Sequence, residues 1–172
     1  MIKITTDSTC DLPRELLERY NITVTPLGII KAGKLYQDGV DIRTGDIAAH
    51  VDAGGEITTT NAVNVGQATD VLEPILKQGK DLLVLAFSSG LSTTCNSFQI
   101  AATELGAQYP DRKVFVVDTL CASLGQGLLV YLCVQEKRKG KTIDQVHVFA
   151  EETKAKVCHW FTVDDLNHLK RG

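Results

Sequence analysis

Apolar runs of strand length alternate along this chain with amphipathic segments of helical period. Ile2 to Thr6 predicts a first strand, followed by a polar turn at Asp7-Ser8-Thr9. Asp11 is placed to cap a helix running to about Tyr20, with Pro13 in its first turn. Thr23 to Ile30 alternates and is rich in β-branched residues, which predicts a second strand. Ala32-Gly33 breaks that strand, and Lys34 to Gln37 returns as a short hairpin arm. Helices follow over about Thr44 to Ala53, stopped by Gly54-Gly55, and over about Val65 to Lys77.

Asp81 to Phe87 holds the unbroken run Leu82-Leu83-Val84-Leu85, the pattern of a strand buried on both faces. The rest of the chain predicts a helix from Leu91 to Leu105, a strand from Lys113 to Val117, and helices from Leu124 to Lys139 and Ile143 to Lys156. Cys158 to Thr162 reads as strand-like and Val163 to Lys170 as a short last helix. Strand and helix in alternation imply right-handed crossovers. The predicted fold class is therefore α/β, a mainly parallel sheet flanked by helices on both faces.

Composition narrows the field without changing this picture. The chain has 172 residues, 44% hydrophobic and 23% charged, with 18 basic and 21 acidic residues for a net charge of −3. That suits one globular domain with a core of its own, and it supplies no basic field for nucleic acid or an anionic membrane. No apolar stretch is long enough for a membrane span, so no stable membrane insertion is expected. No signal peptide precedes the first strand. Cys10, Cys95, Cys121, Cys133 and Cys158 are odd in number and include no C-x-x-C pair, which argues against a disulfide framework or a zinc site. Free thiols and no leader point to the cytoplasm.

In an open parallel sheet, ligands bind beyond the carboxyl ends of the strands. The segments there are Thr6-Asp7-Ser8-Thr9, Phe87-Ser88-Ser89-Gly90-Leu91-Ser92-Thr93-Thr94 and Asp118-Thr119 with Ser123 beyond. Thr58-Thr59-Thr60-Asn61 leads into the helix near Val65. All four are rich in hydroxyls, stand near predicted helix starts and lack Lys and Arg. Such a neutral cradle suits one carboxylate better than a polyphosphate. Each loop alone is equally explained as a helix cap. No phosphate-binding P-loop is present, and Gly125-Gln126-Gly127 lacks the third glycine of a dinucleotide fingerprint. The four histidines, His50, His147, His159 and His168, fall on or beside predicted helices away from the hydroxyl loops. Cys10, Cys95 and Cys121 lie in or beside three of the loops, as buried small residues or as a thiol nucleophile or metal site. The basic run Lys137-Arg138-Lys139-Gly140-Lys141 closes a helix.

Thr6-Asp7-Ser8-Thr9-Cys10-Asp11-Leu12, Tyr36-Gln37-Asp38-Gly39, Thr59-Thr60-Asn61-Ala62, Ser88 to Thr94, and Asp118-Thr119 through Ser123 to Gly127 resemble, in order and spacing, the DegV family. Phe161 to Leu166 with Leu169-Lys170-Arg171-Gly172 extends the match over the whole chain. The resemblance implies a bacterial cytoplasmic protein, itself not an enzyme and with no cofactor. It would bind one long-chain fatty acid and present the carboxylate to a separate fatty acid kinase. It maps the carboxylate-holding residues to Thr59 and Ser92, with Thr60, Ser88 and Ser89 close by. Three departures stand out: Thr60 and Ala62 replace a serine and a proline, Thr93 replaces a glycine, and a second domain of about a hundred residues that closes over the ligand is missing. Residues 1–156 are expected to form the DegV-like domain, and 157–172 the start of the connection to that second domain. Two other readings remain at this stage: a hydrolase or transferase with a loop Ser or Cys nucleophile, or a truncated remnant that no longer binds lipid.

Overall fold

The computed structural model describes residues 1–160 and 162. Two compact units are present, one of Met1–Thr25 with Val63–His159 and a second built on Pro26–Ala62.

The larger unit is an open parallel sheet. Its strands are β1 (Ile2–Asp7), β2 (Thr23–Thr25), β6 (Asp81–Ala86) and β7 (Val114–Asp118), in the order β2-β1-β6-β7. Register runs Thr6↔Val24 from β1 to β2, Ile4↔Leu83 from β1 to β6 and Val84↔Val116 from β6 to β7. Leu82 to Ala86 are all fully buried, as a strand covered on both faces requires. On one face Ile4, Leu83, Leu85 and Val117 pack with Leu129, Val130 and Cys133 of α5 (Ser123–Arg138) and Val146 and Ala150 of α6 (Ile143–Lys154). Alternation turns Leu82 and Val84 to the other face, where α3 (Val65–Lys77) and α4 (Thr94–Gln108) lie. Each such fully buried leucine contributes about 1.5–3 kcal/mol of transfer free energy.

The helices start where local chemistry dictates. α3 opens on a reciprocal capping box, Gln67 N–H to Asn64 Oδ1 at 2.9 Å and Asn64 N–H to Gln67 Oε1 at 3.0 Å. Thr142 and Gln145 form the same box at α6. α1 (Arg14–Arg19) departs from expectation: Pro13 occupies its cap position, while Asp11, at φ 50°, closes a preceding 3-10 turn over Ser8–Cys10.

The smaller unit holds what looks like a continuation of β2 in the sequence. Pro26 and Leu27 interrupt the Thr23 to Ile30 run, because proline has no N–H for a ladder. The second half is β3 (Gly28–Lys31), centre of an antiparallel sheet with β4 (Lys34–Gln37) and β5 (Thr59–Asn61), in the order β4-β3-β5. Ala32 (φ 49°) and Gly33 (φ 74°) make the two-residue hairpin turn between β3 and β4. β5 replaces the predicted loop at Thr59-Thr60-Asn61 and pairs Ile30↔Thr59 and Ile29↔Thr60. α2 (Thr44–Asp52) completes this unit.

Cys158 to Trp160 form no strand, and the predicted helix over 163–170 lies outside the described residues. In the larger unit, a Cβ on Gly127 would lie 2.5 Å from the Cys10 carbonyl oxygen and 3.1 Å from Leu12 Cδ2. Backbone cannot yield as a flexible side chain does. Gly127→Ala is therefore expected to destabilise the fold by about 1–3 kcal/mol, read from urea unfolding. An unchanged midpoint would show that α5 and the 3-10 turn separate freely.

Candidate functional site

Three loops of the larger unit meet at the carboxyl edge of its parallel sheet, and a buried carboxylate organises them. Asp7 ends β1 and is fully buried. Its Oδ1 accepts from Thr9 N–H at 3.2 Å, from the Thr9 hydroxyl, and from Gln126 Nε2 at 3.2 Å. Its Oδ2 accepts from Phe87 N–H at 2.8 Å, where the chain leaves β6. Burial pushes the Asp7 pKa up, opposed by its hydrogen bonds from Thr9, Phe87 and Gln126. Gln126, also fully buried, further donates to Thr6 Oγ1 at 2.9 Å, and its Oε1, 2.9 Å from Thr9 Oγ1, shares the single Thr9 hydroxyl proton with Asp7. One carboxylate and one amide thus lock the end of β1, the exit of β6 and the first turn of α5 together.

The loop after β6 is tied to the loop after β7. Thr119 donates its hydroxyl to the Ala86 carbonyl at 2.7 Å, and Ser88 N–H donates to the Cys121 carbonyl at 3.1 Å. Asp118 Oδ1 accepts from Ser89 N–H and from Leu120 N–H, each at 3.1 Å. Burial would raise the Asp118 carboxyl, but bonds from the Ser89 hydroxyl and from the Leu120 and Ser89 N–H groups hold it below its ordinary value. Leu120 (φ 56°) and Ser123 (φ 50°) sit in the left-handed region, and the bond from Leu120 N–H to Asp118 helps hold the first of them there.

Ser88 is buried, and its hydroxyl accepts from Gly90 N–H at 3.3 Å. Ser89 is exposed and gives both its N–H and its hydroxyl to Asp118. Ser92 is half-buried; its Oγ lies 2.9 Å from the buried Thr94 Oγ1 and accepts from Thr94 N–H at 3.1 Å. Ser88, Ser89 and Ser92 are thus brought together on one loop. Helix α4 begins at Thr94 rather than Leu91, because residues 88–92 form a separate turn with Leu91 and Ser92 N–H on the Ser88 carbonyl. Thr59 and Thr60 belong to the smaller unit, where both stand exposed on β5. Apolar side chains crowd the same edge of the larger unit. Leu91, Leu120, Leu124 and Leu128 are 62%, 52%, 63% and 46% exposed, and the last two lie one turn apart on α5.

The four buried thiols are poor nucleophiles. Burial pushes Cys10 and Cys95 up to about 11 and Cys133 to about 12, and raises Cys121. Among the described residues, no group of three or more His, Cys, Asp and Glu could hold a metal ion. His147 stacks on Phe115 at 4.2 Å, and the His50 ring lies against Gly55. His159 is nearer the loops than expected, its ring against Gly125 in the first turn of α5. Its Nδ1 is buried with no hydrogen-bond partner among the described residues. His168 lies outside the described residues.

The sequence reading missed Thr94 and the Asp7–Gln126 pair as organisers. A signal existed for Gln126, a lone amide between two glycines on a helix face that must pack. None distinguished Thr94 from its hydroxyl-bearing neighbours.

A family model described as "Uncharacterised protein, DegV family" matches residues 1–172. The chain belongs to the DegV family. A DegV domain-containing protein of Clostridium perfringens is 43% identical over 170 residues, 98% of this chain and 58% of that protein. One from Lactococcus lactis is 33% identical over 172 residues, 99% of this chain and 59% of that protein. Among solved structures, a fatty-acid-binding DegV family protein from Thermus thermophilus matches at TM-score 0.87 and 32% identity, over 99% of this chain and 59% of that one. A stearic-acid-binding protein from Eubacterium ventriosum matches at TM-score 0.81 and 29% identity, over 88% and 52%. The chain therefore spans somewhat over half the length of the DegV relatives it matches. No helix among the described residues is long and apolar enough to cross a membrane.

Proposed function

We propose that this chain is a fatty-acid-binding part of a DegV protein, with the lipid carboxylate held by neutral hydroxyls. The observation that carries this reading is the composition of one sheet edge. Ser88 and Ser92 stand in loops without Lys or Arg, and four exposed leucines rim the same edge. Hydroxyls beside apolar surface suit a ligand with a small anionic head and a long apolar tail. Each methylene taken from water contributes about 0.8 kcal/mol. Ser92 is the principal donor in this proposal and Ser88 its neighbour. Ser89 has a lesser role, since its hydroxyl serves Asp118. Thr59 of β5 is proposed as a further carboxylate donor, with Thr60 next to it in the strand. Similarity to proteins described as fatty-acid-binding in Thermus and Eubacterium supports the acyl tail. A fatty acid kinase is the proposed acceptor of the presented carboxylate, in a bacterial cytoplasm. The high pKa of the buried thiols weighs against nucleophilic catalysis.

The test is direct. Purified protein should release long-chain fatty acid on organic extraction, identified by mass spectrometry, or take up added oleate in a saturable titration. Protein that carries no lipid and ignores oleate would sink the proposal.

A further inference from the structure

Thr94 carries a fully buried hydroxyl in contact with the proposed carboxylate donor, and among the described residues its proton has one acceptor to go to. Thr94 Oγ1 accepts from Val63 N–H at 3.2 Å and lies 2.9 Å from Ser92 Oγ; those are its hydrogen-bond partners among the described residues. A hydroxyl has one proton to give and two lone pairs to fill. If Ser92 donated to Thr94, the Thr94 proton would be buried with no acceptor, at a cost of about 1–3 kcal/mol. If Thr94 donates to Ser92, both groups are satisfied. Ser92 Oγ then accepts twice, from Thr94 N–H at 3.1 Å and from the Thr94 hydroxyl, and the Ser92 proton is left to point out of the protein.

We infer that Thr94 is a positioning residue that commits Ser92 to donate, so that the site selects a headgroup that only accepts, an ionised carboxylate. The inference rests on Ser92 meeting the carboxylate and adds the device that fixes its polarity. Two accepted bonds also polarise the Ser92 hydroxyl and strengthen its donation. A protonated acid or an alcohol can accept from Ser92 but finds no free lone pair there for its own proton, and it lacks the charge that strengthens the accepted bond. The same hydroxyl holds Val63 N–H, so the polarity of the site is set by the contact that anchors the chain entering α3.

The experiment compares the parent protein with Thr94→Val, Thr94→Ser and Ser92→Ala. Each is titrated with oleate and with oleyl alcohol, and oleate labelled with carbon-13 at the carboxyl is followed by NMR as pH is varied. Thr94→Val should weaken oleate about tenfold while leaving oleyl alcohol within about twofold, the size expected for loss of one polarised bond to a charged group. It should also raise the pKa of the bound carboxyl, and Thr94→Ser should restore both readouts. If Thr94→Val weakens acid and alcohol alike and leaves the bound pKa unmoved, Thr94 is only a packing residue and the inference falls. Normal oleate binding in Ser92→Ala overturns the Ser92 assignment on which it rests. No oleate binding by the parent protein overturns the lipid reading and this inference with it.

Discussion

Ser92→Ala is expected to weaken oleate binding by roughly 10- to 100-fold, the loss of one hydroxyl donor to a charged acceptor. The same substitution takes the acceptor from the buried Thr94 hydroxyl and from Thr94 N–H, so the melting temperature should also fall by a few degrees. Isothermal titration calorimetry with oleate, alongside thermal melting, separates the two effects. A twofold change or less would remove Ser92 from the site. Comparison with β5 sharpens this result. Thr59 and Thr60 are successive strand residues and so face opposite sides of their sheet, which means their hydroxyls cannot act alike. Thr59→Val and Thr60→Val should divide, one weakening oleate markedly and the other hardly at all. Ser89→Ala should weaken it least among the loop serines, because its hydroxyl is already given to Asp118.

Asp7→Ala should produce the largest loss of stability, about 3 kcal/mol or more. The substitution strands Thr9 N–H and Phe87 N–H, and it takes one of several partners from the Thr9 hydroxyl and from Gln126 Nε2. Urea unfolding measures the loss, and a change under 1 kcal/mol would mean that water replaces the carboxylate without penalty. Asp7 also carries a pH signature. Its folded pKa lies above the ordinary carboxylate value of 3.8, so the folded state holds the proton more tightly than the unfolded one. The associated stability is fully present below pH 3.8 and declines as pH rises through the raised native value. Stability of the parent relative to Asp7→Asn should therefore fall as pH rises above the ordinary carboxylate value of 3.8. The opposite slope would show that the four donors outweigh burial. Asp118, held below its ordinary pKa, contributes in the other sense and loses its stabilisation as pH falls.

Periodicity made most of the larger unit legible, because its chemistry is repetitive. The run at Leu82-Leu83-Val84-Leu85 announces a strand covered on both faces, and the Asn64/Gln67 and Thr142/Gln145 pairs mark helix starts. Legibility failed where local signals oppose the pattern. The β-branched alternation of Thr23 to Ile30 continues across Pro26, yet the chain changes sheets there. β5 is three exposed polar residues, and a strand without an apolar face offers no periodicity to find. Asp11 has the chemistry of a cap, but it is one residue in a left-handed turn, a geometry set by the Ser8 carbonyl and Pro13. Within the candidate site the hydroxyl loops could be seen from their composition, and their DegV pattern from spacing. The buried Thr94 and the Asp7–Gln126 pair could not, because their importance lies in which group donates to which.

The register of the central strands has a consequence for how the chain is made. Thr6 on β1 hydrogen-bonds the carbonyl of Leu85, its partner on β6, 79 positions later. At about 5–20 residues per second, a ribosome needs several seconds to deliver β6 after β1. During that interval β1 has only the three-residue β2 as a sheet partner, and one of its edges stays open. β1 alternates Ile2 and Ile4 with Lys3 and Thr5, so its exposed edge carries a charge that discourages pairing with another nascent chain. Lys3 ends 8% exposed, its ammonium 2.6 Å from both the Asn21 carbonyl and the Asn21 side chain.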